Sequence, residues 1–261
     1  MCIRDRSLTD AELARAIAAE AGTLLRDILA SGCAAGERGD RGDREANNLI
    51  IDRLRAARPD DFILSEEAKD DRRRCAARRV WIVDPLDGTR EYASGIDEWA
   101  VHIGLAINGV PSVGAVALPA QGKVFATDDP PRLPQCRTAR PRIVVSRSRA
   151  PAIVARVAEE LDAELIAMGS AGVKAMAVVE GLADIYLHDG GQYEWDNCAP
   201  AAVALAAGLH ASRIDGSALS YNCEDPFLPD LLICQPAWAP RVLAALADAV
   251  PPGDSAVQRE G

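Results

Sequence analysis

The segment Trp81-Ile82-Val83-Asp84-Pro85-Leu86-Asp87-Gly88-Thr89 is where the residue types of this chain first suggest chemistry. Its apolar, β-branched start predicts a buried strand ending at Asp84. Pro85 predicts a turn, and Asp87-Gly88-Thr89 opens the next element. Two carboxylates then leave a strand end together. Hard divalent cations such as Mg²⁺ take oxygen ligands and keep several waters, so two carboxylates on one tight turn can begin such a site. A helix starting at Asp87 would aim its free N–H groups at a phosphate. The same spelling also suits a plain β-turn, because Asp-Pro and Asp-Gly favour turns without any metal. Spacing argues against a phosphorylated aspartate: the D-x-D-G-T arrangement leaves one residue between nucleophile and acid, whereas Pro85 and Leu86 separate Asp84 from Asp87. Direct attack by water is the better fit.

Two further segments gain meaning beside this one. Phe62-Ile63-Leu64 predicts a strand leading into Ser65-Glu66-Glu67, and Trp195-Asp196 precedes an apolar helix. Alone, the first is an ordinary solvated pair of carboxylates and the second an ordinary helix cap.

The elements that must position these residues follow from pattern. Thr9 and Glu12 form a capping box before a first helix carrying Leu13, Ile17, Leu24, Leu25 and Ile28, stopped at Ser31-Gly32. Residues 36–43 read as a polar, glycine-punctuated loop, with Asp43 near the start of a second helix that ends by Pro59. Strands are expected at 62–64, 80–83, 101–107, 113–118 and 124–125. The Pro- and Arg-rich stretch 128–142 suggests a boundary, giving an N-terminal α+β half over 8–135 and a C-terminal α/β half over 141–250, with 1–7 and 251–261 frayed. In the second half, strands at 143–145, 185–187 and 231–233 alternate with helices at 152–161, 173–179 and 197–207.

Composition bounds what such a site could serve. The 261 residues are 49% hydrophobic and carry a formal charge of -10, which supports a sizeable core and disfavours a nucleic-acid binder that must neutralise many phosphates. No apolar run is long enough to span a membrane, and the first ten residues carry charges of both signs rather than a signal-peptide core, so a cytoplasmic protein is expected. Seven scattered cysteines with no C-x-x-C read as reduced thiols. Arg41-Gly42-Asp43 reads as a chance tripeptide, Arg72-Arg73-Arg74 as a solvated face, and His102 and His210 as structural histidines.

Taken together, Asp43, Ser65-Glu66-Glu67, Asp84 to Thr89 and Trp195-Asp196-Asn197-Cys198-Ala199 resemble the magnesium-dependent phosphomonoesterase superfamily of inositol monophosphatase. Gly169-Ser170-Ala171 and Gly181-Leu182-Ala183-Asp184-Ile185-Tyr186 resemble the stretch between its last metal motifs. Thr89-Arg90-Glu91-Tyr92 is similar to the T-[KR]-E-[FY] of CysQ-type 3'(2'),5'-bisphosphate nucleotidases. Asp97 to Ile103 and Gly190 to Asp196 resemble the actinobacterial branch. Cys198 stands where that superfamily usually has Ala, and Ala68 where Ser is common.

The resemblance implies an αβαβα sandwich and removal of the 3'-phosphate of 3'-phosphoadenosine 5'-phosphate, a by-product of sulfate assimilation. It implies two or three Mg²⁺ ions per site, inhibited by Li⁺, held by Glu66, Asp84, the carbonyl of Leu86, Asp87 and Asp196. Thr89, paired with Asp43 and close to Glu66, would activate water, and Gly88 and Thr89 amides would hold the phosphate. Gly169, Ser170 and Asp189 would contact a small nucleotide bisphosphate, with neither nucleic acid nor membrane as partner. Inositol monophosphatase or fructose-1,6-bisphosphatase activity and a non-catalytic nucleotide sensor remain the alternatives, and the oligomeric state stays open, a homodimer included.

Overall fold

The protein is described by a computed structural model covering residues 7–133, 135–136, 140–147 and 152–249. The expected frayed ends and the stretch 128–142 thus fall wholly or partly outside the described residues. Thr9 caps α1 (Asp10–Ala30): its hydroxyl accepts from Glu12 N at 3.2 Å, and Glu12 Oε2 accepts from Thr9 N at 2.8 Å. The expected loop over 36–43 is instead the beginning of α2 (Ala35–Ala57), which places Asp43 inside a helix. Packing explains the difference. A Cβ at position 39 would lie 2.9 Å from Thr89 Cγ2, and one at 42 would lie 3.1 Å from side-chain carbons of Leu25, Leu86 and Tyr92. The glycines let α2 press against the segment carrying Thr89, and that contact outweighs their poor helix propensity.

Two five-stranded mixed sheets form among the described residues. In the first, β1 (Phe62–Ser65), β2 (Arg79–Asp87), β3 (Ala100–Ile107), β4 (Val110–Leu118) and β5 (Lys123–Ala126) lie in chain order, with β1 parallel to β2 and the rest antiparallel. The second comprises β6 (Arg142–Ser146), β7 (Glu164–Met168), β8 (Ile185–Tyr193), β9 (His210–Ser212) and β10 (Phe227–Cys234), ordered β7-β6-β8-β10-β9. There β6 runs parallel to β7 and β8, while β10 is antiparallel to β8 and β9. The remaining helices are α3 (Thr89–Ala93), α4 (Ala152–Leu161), α5 (Ala171–Val179), α6 (Glu194–Ala206) and α7 (Ala239–Ala249).

Side-chain alternation along the strands divides the interior. Trp81 and Val83 face α1 and α2, whereas Val80 and Ile82 face α5 and α6. From the second sheet Val144, Tyr186 and Ile233 join that same central cluster, while Ile143, Val145, Ile185 and Leu187 turn to α4 and α7. The layers are therefore αβαβα, with α5 and α6 sandwiched between the sheets. No described helix is long and apolar enough to cross a membrane. The expected solvated face at 72–74 splits: Arg74 is 0% exposed, its guanidinium donating to both Asp70 oxygens, to Asn222 Oδ1 and to Cys223 O. Those partners make its burial tolerable.

Candidate active site

Strand β2 does not end at Asp84 as expected. It continues to Asp87 through a register shift, so that Asp84 opposes His102 and Asp87 opposes Ala100 on β3. Three steps along β2 match two along β3, and the extra residue re-phases the strand. Asp84 and Asp87, which a regular strand would send to opposite faces, thereby share one. Asp84 Oδ1 accepts from Leu86 N at 3.0 Å, closing the turn. Gly88 follows with φ of 90° and packs against Glu98 O, where a Cβ would lie at 2.9 Å, so glycine is required both for its dihedral and for its contact.

Asp196 arrives from the first turn of α6, its Oδ2 accepting from Tyr193 N at 2.6 Å. One carboxylate oxygen each of Asp84, Asp87 and Asp196 lies within 4.8 Å of the others. Glu66 follows β1, which pairs in parallel with β2 up to Ser65 opposite Val83, and its carboxyl hydrogen-bonds that of Asp84. Burial first, then the charges of Glu66, Asp87 and Asp196, holds the Asp84 carboxyl well above the usual carboxylate range. Burial and Asp87 push Asp196 up to about 7. Glu66 stays exposed, yet the protein packed around it, with Glu67 and Asp87, also raises its pKa. Anions so crowded are stable together only with protons or cations between them. The donor set is all carboxylate oxygen and suits a hard divalent metal.

Asp43, buried on α2, hydrogen-bonds Thr89, but burial and the charges of Glu67 and Glu66 dominate and raise it to about 7. Its Oδ1 has no hydrogen-bond partner. The Thr89 hydroxyl donates to Leu86 O at 3.0 Å, so the carbonyl expected to face a metal accepts a hydrogen bond here. Asp87 is tied to the far wall: its Oδ2 accepts from Ser170 Oγ and, at 2.7 Å, from Gly172 N. Ser170 caps α5 with a positive φ of 52°, a strained value for a residue with a Cβ.

Asp87, Thr89, Ser170 and Asp196 border a cleft of about 340 Å³, whereas Asp43, Glu66 and Asp84 are not among its lining residues. Residues 87–91 line one side, and Gly169, Ser170, Lys174, Tyr186, His188 and Gln192 line the other, with Asp196. Asp189 is not among the lining residues. The alternation that turns Tyr186 and His188 toward the cleft turns Asp189 away, in register with Asp230 on β10. Arg90 and Glu91 line the cleft, whereas Tyr92 is buried, donating to Leu25 O at 2.8 Å and meeting Trp99 edge-on at 4.9 Å.

Lys174 was not singled out from sequence. It is 4% exposed, its Nζ donates to Ser170 O at 2.5 Å, and it lies 5.5 Å from the Tyr186 ring centroid. Burial lowers its pKa, opposed by Asp87, Glu91 and Asp196. A single Lys within the apolar run Val173–Val179 was the available signal. His102 is also fully buried, its pKa lowered by burial against the pull of Asp87.

The family model for the inositol monophosphatase family matches residues 9–250. A 3'-phosphoadenosine 5'-phosphate phosphatase of Mycobacterium tuberculosis (strain CDC 1551 / Oshkosh) is 53% identical over 220 residues, covering 81% of this chain and 82% of its own. One from Mycobacterium leprae (strain TN) is 50% identical over 256 residues, covering 92% and 94%. Among solved structures, CysQ from Bacteroides thetaiotaomicron, described as a bacterial member of the inositol monophosphatase family, superposes with a TM-score of 0.74 at 27% identity, covering 87% of this chain and 97% of that one. With the carboxylate cluster and the αβαβα layers already in place, this chain belongs to the inositol monophosphatase family.

Proposed function

We propose that this protein is a metal-dependent phosphomonoesterase that removes the 3'-phosphate of 3'-phosphoadenosine 5'-phosphate. The observation that carries the reading is the convergence of Asp84, Asp87 and Asp196 beside a cleft that also holds a buried lysine. The names of relatives at 50–53% identity support the substrate. Glu66, Asp84, Asp87, Asp196 and the Leu86 carbonyl would hold two or three Mg²⁺ ions. The chemistry such ions supply is charge neutralisation at the ester and a lower pKa for the attacking water.

The chain's own groups do the rest. Thr89 orients the water and, its hydroxyl turned from Leu86 O, relays the proton to Asp43, whose buried Oδ1 has no other partner. The water oxygen forms the new P–O bond as the bond to the ribose 3'-oxygen breaks, and that oxygen takes up a proton. Gly88 and Thr89 amides receive the transferred phosphate. Gly169 and Ser170 contact the nucleoside, and Lys174 offers positive charge to the second phosphate. Inhibition by Li⁺ and a cytoplasmic setting with reduced thiols complete the reading. The test compares phosphate release from 3'-phosphoadenosine 5'-phosphate, inositol 1-phosphate and fructose 1,6-bisphosphate, with and without Mg²⁺. The nucleotide should have the highest kcat/KM. Equal turnover of inositol 1-phosphate would reduce the protein to a general phosphomonoesterase.

A further inference from the structure

We infer that His102 is a positioning residue for the metal carboxylates, setting Asp84, Asp87 and Asp196 relative to one another through one buried ring. The inference rests on the metal-centred reading above and assigns His102 no contact with substrate.

His102 lies on β3 directly opposite Asp84 and is 0% exposed. Its Nδ1 is 3.0 Å from the backbone oxygen of Trp195. A carbonyl can only accept, so Nδ1 carries the hydrogen and donates. That bond fastens β3 to the first turn of α6, one residue before Asp196. On the other edge of the ring, Nε2 stands 3.4 Å from Asp87 Oδ2 and has no hydrogen-bond partner. The same atom abuts Gly172, where any Cβ would collide with it. Because position 172 lacks a side chain, the start of α5 settles against the ring, and from there Gly172 N donates to Asp87 Oδ2 at 2.7 Å. One imidazole is thus the reference point for the strand of Asp84, the amide that holds Asp87 and the turn that carries Asp196.

Space-filling alone does not account for this residue. Its strand neighbours Val101 and Ile103 are apolar and equally buried, and an aliphatic side chain would fill the site without leaving a ring nitrogen unpartnered. A buried acceptor with no donor is costly. Such a cost, borne next to a metal-ligating carboxylate, matches the outer groups that orient ligands and tune metal affinity.

The experiment measures Mg²⁺ binding by calorimetry on metal-free wild type, His102→Asn and His102→Gln, with Tm recorded for each. Asn places an N–H where Nδ1–H sits and keeps the link to Trp195. Gln is of similar polarity but places its amide where Nε2 sits and loses that link. The Mg²⁺ Kd should rise about 10–100-fold in His102→Gln and stay much nearer wild type in His102→Asn. Val116→Ala, opposite His102 on β4, serves as a stability control. Equal Kd values in the two variants, or a Kd that follows Tm across all three, overturns the inference. Should His102→Gln fail to fold, the ¹⁵N signal of His102 Nε2 in the wild type decides: it must shift on Mg²⁺ saturation, and an unmoved signal overturns the inference. Wild type that binds no Mg²⁺ and releases no phosphate would instead overturn the metal reading, and this inference with it.

Discussion

At the end of β2 the groups used by the site, Asp84, Asp87 and Thr89, fall within one short run and are arranged by a bulge and a glycine turn. On the opposite wall, Ser170, Lys174, His188 and Asp196 come from two helices and a strand, and only the stacking of the second sheet on α5 and α6 brings them together. The first wall concentrates negative charge and the second holds the buried lysine. The contrast separates two tasks. Local backbone geometry builds the half proposed to hold metal, while long-range packing builds the half proposed to grip the nucleotide.

The comparison fails at its root if one wall can act without the other. Asp84→Asn and Asp196→Asn should each abolish metal-dependent phosphate release, because both supply oxygens to one cluster. Far-UV circular dichroism should be unchanged, and Tm in EDTA should equal or exceed wild type, since each substitution relieves a crowded anion. Near-wild-type turnover in either variant would show that the walls share no cation.

Within the first wall, Thr89→Ala should lower kcat by roughly 10²–10⁴-fold with a smaller change in KM, the signature of lost proton-transfer assistance. A rise in KM alone would make Thr89 a binding group and break its functional link to Asp43. The second wall should respond in the opposite sense. Lys174→Met should raise KM for 3'-phosphoadenosine 5'-phosphate and cost about 1.5–3 kcal/mol in kcat/KM, roughly tenfold to a hundredfold. Adenosine 3'-monophosphate, which lacks the second phosphate, should lose little. Equal losses on both substrates would move Lys174 from recognition to general support of Ser170.

This division also governs what could be read from the sequence. The first wall was legible because its residues are neighbours in the chain and Asp-Pro-x-Asp-Gly has few conformations. Even so, the bulge was not legible, and β2 was expected to end at Asp84. The second wall was legible only where it carries a compact motif, as at Trp195-Asp196. Lys174 was overlooked because one polar residue in an apolar helix has no partner nearby in sequence; its partners are Ser170 O and the Tyr186 ring. The resemblance implies substrate contact by Asp189, but strand alternation sends His188 to the cleft instead. The start of α2 was misread for a related reason. Three glycines are poor helix formers, and the use of two of them, Gly39 and Gly42, in contact with Thr89, Leu86 and Tyr92, lies far along the chain.

The smallest expected effect tests whether charge crowding is a property of the metal-free walls themselves. Asp43 and Asp196 are both raised to about 7 from 3.8. A carboxyl with a raised native pKa binds its proton more tightly when folded, so its contribution to stability is complete below the unfolded value and is lost as pH rises through the folded one. In EDTA, Tm should therefore fall as pH rises from about 4 through about 7, with Glu66 and Asp84, also raised, adding to the fall. A few degrees are expected, since about 1 kcal/mol moves Tm by roughly 2–4 °C in a chain near this size. Saturating Mg²⁺ should flatten the slope or reverse it, because the cation replaces the protons and binds the native state best where the carboxylates are ionised. Asp196→Asn should flatten the EDTA curve by removing one of the raised carboxyls. If the slope in EDTA were instead upward through this window in wild type, the carboxylates would be stabilised by other partners and the cluster would not need a cation to hold together.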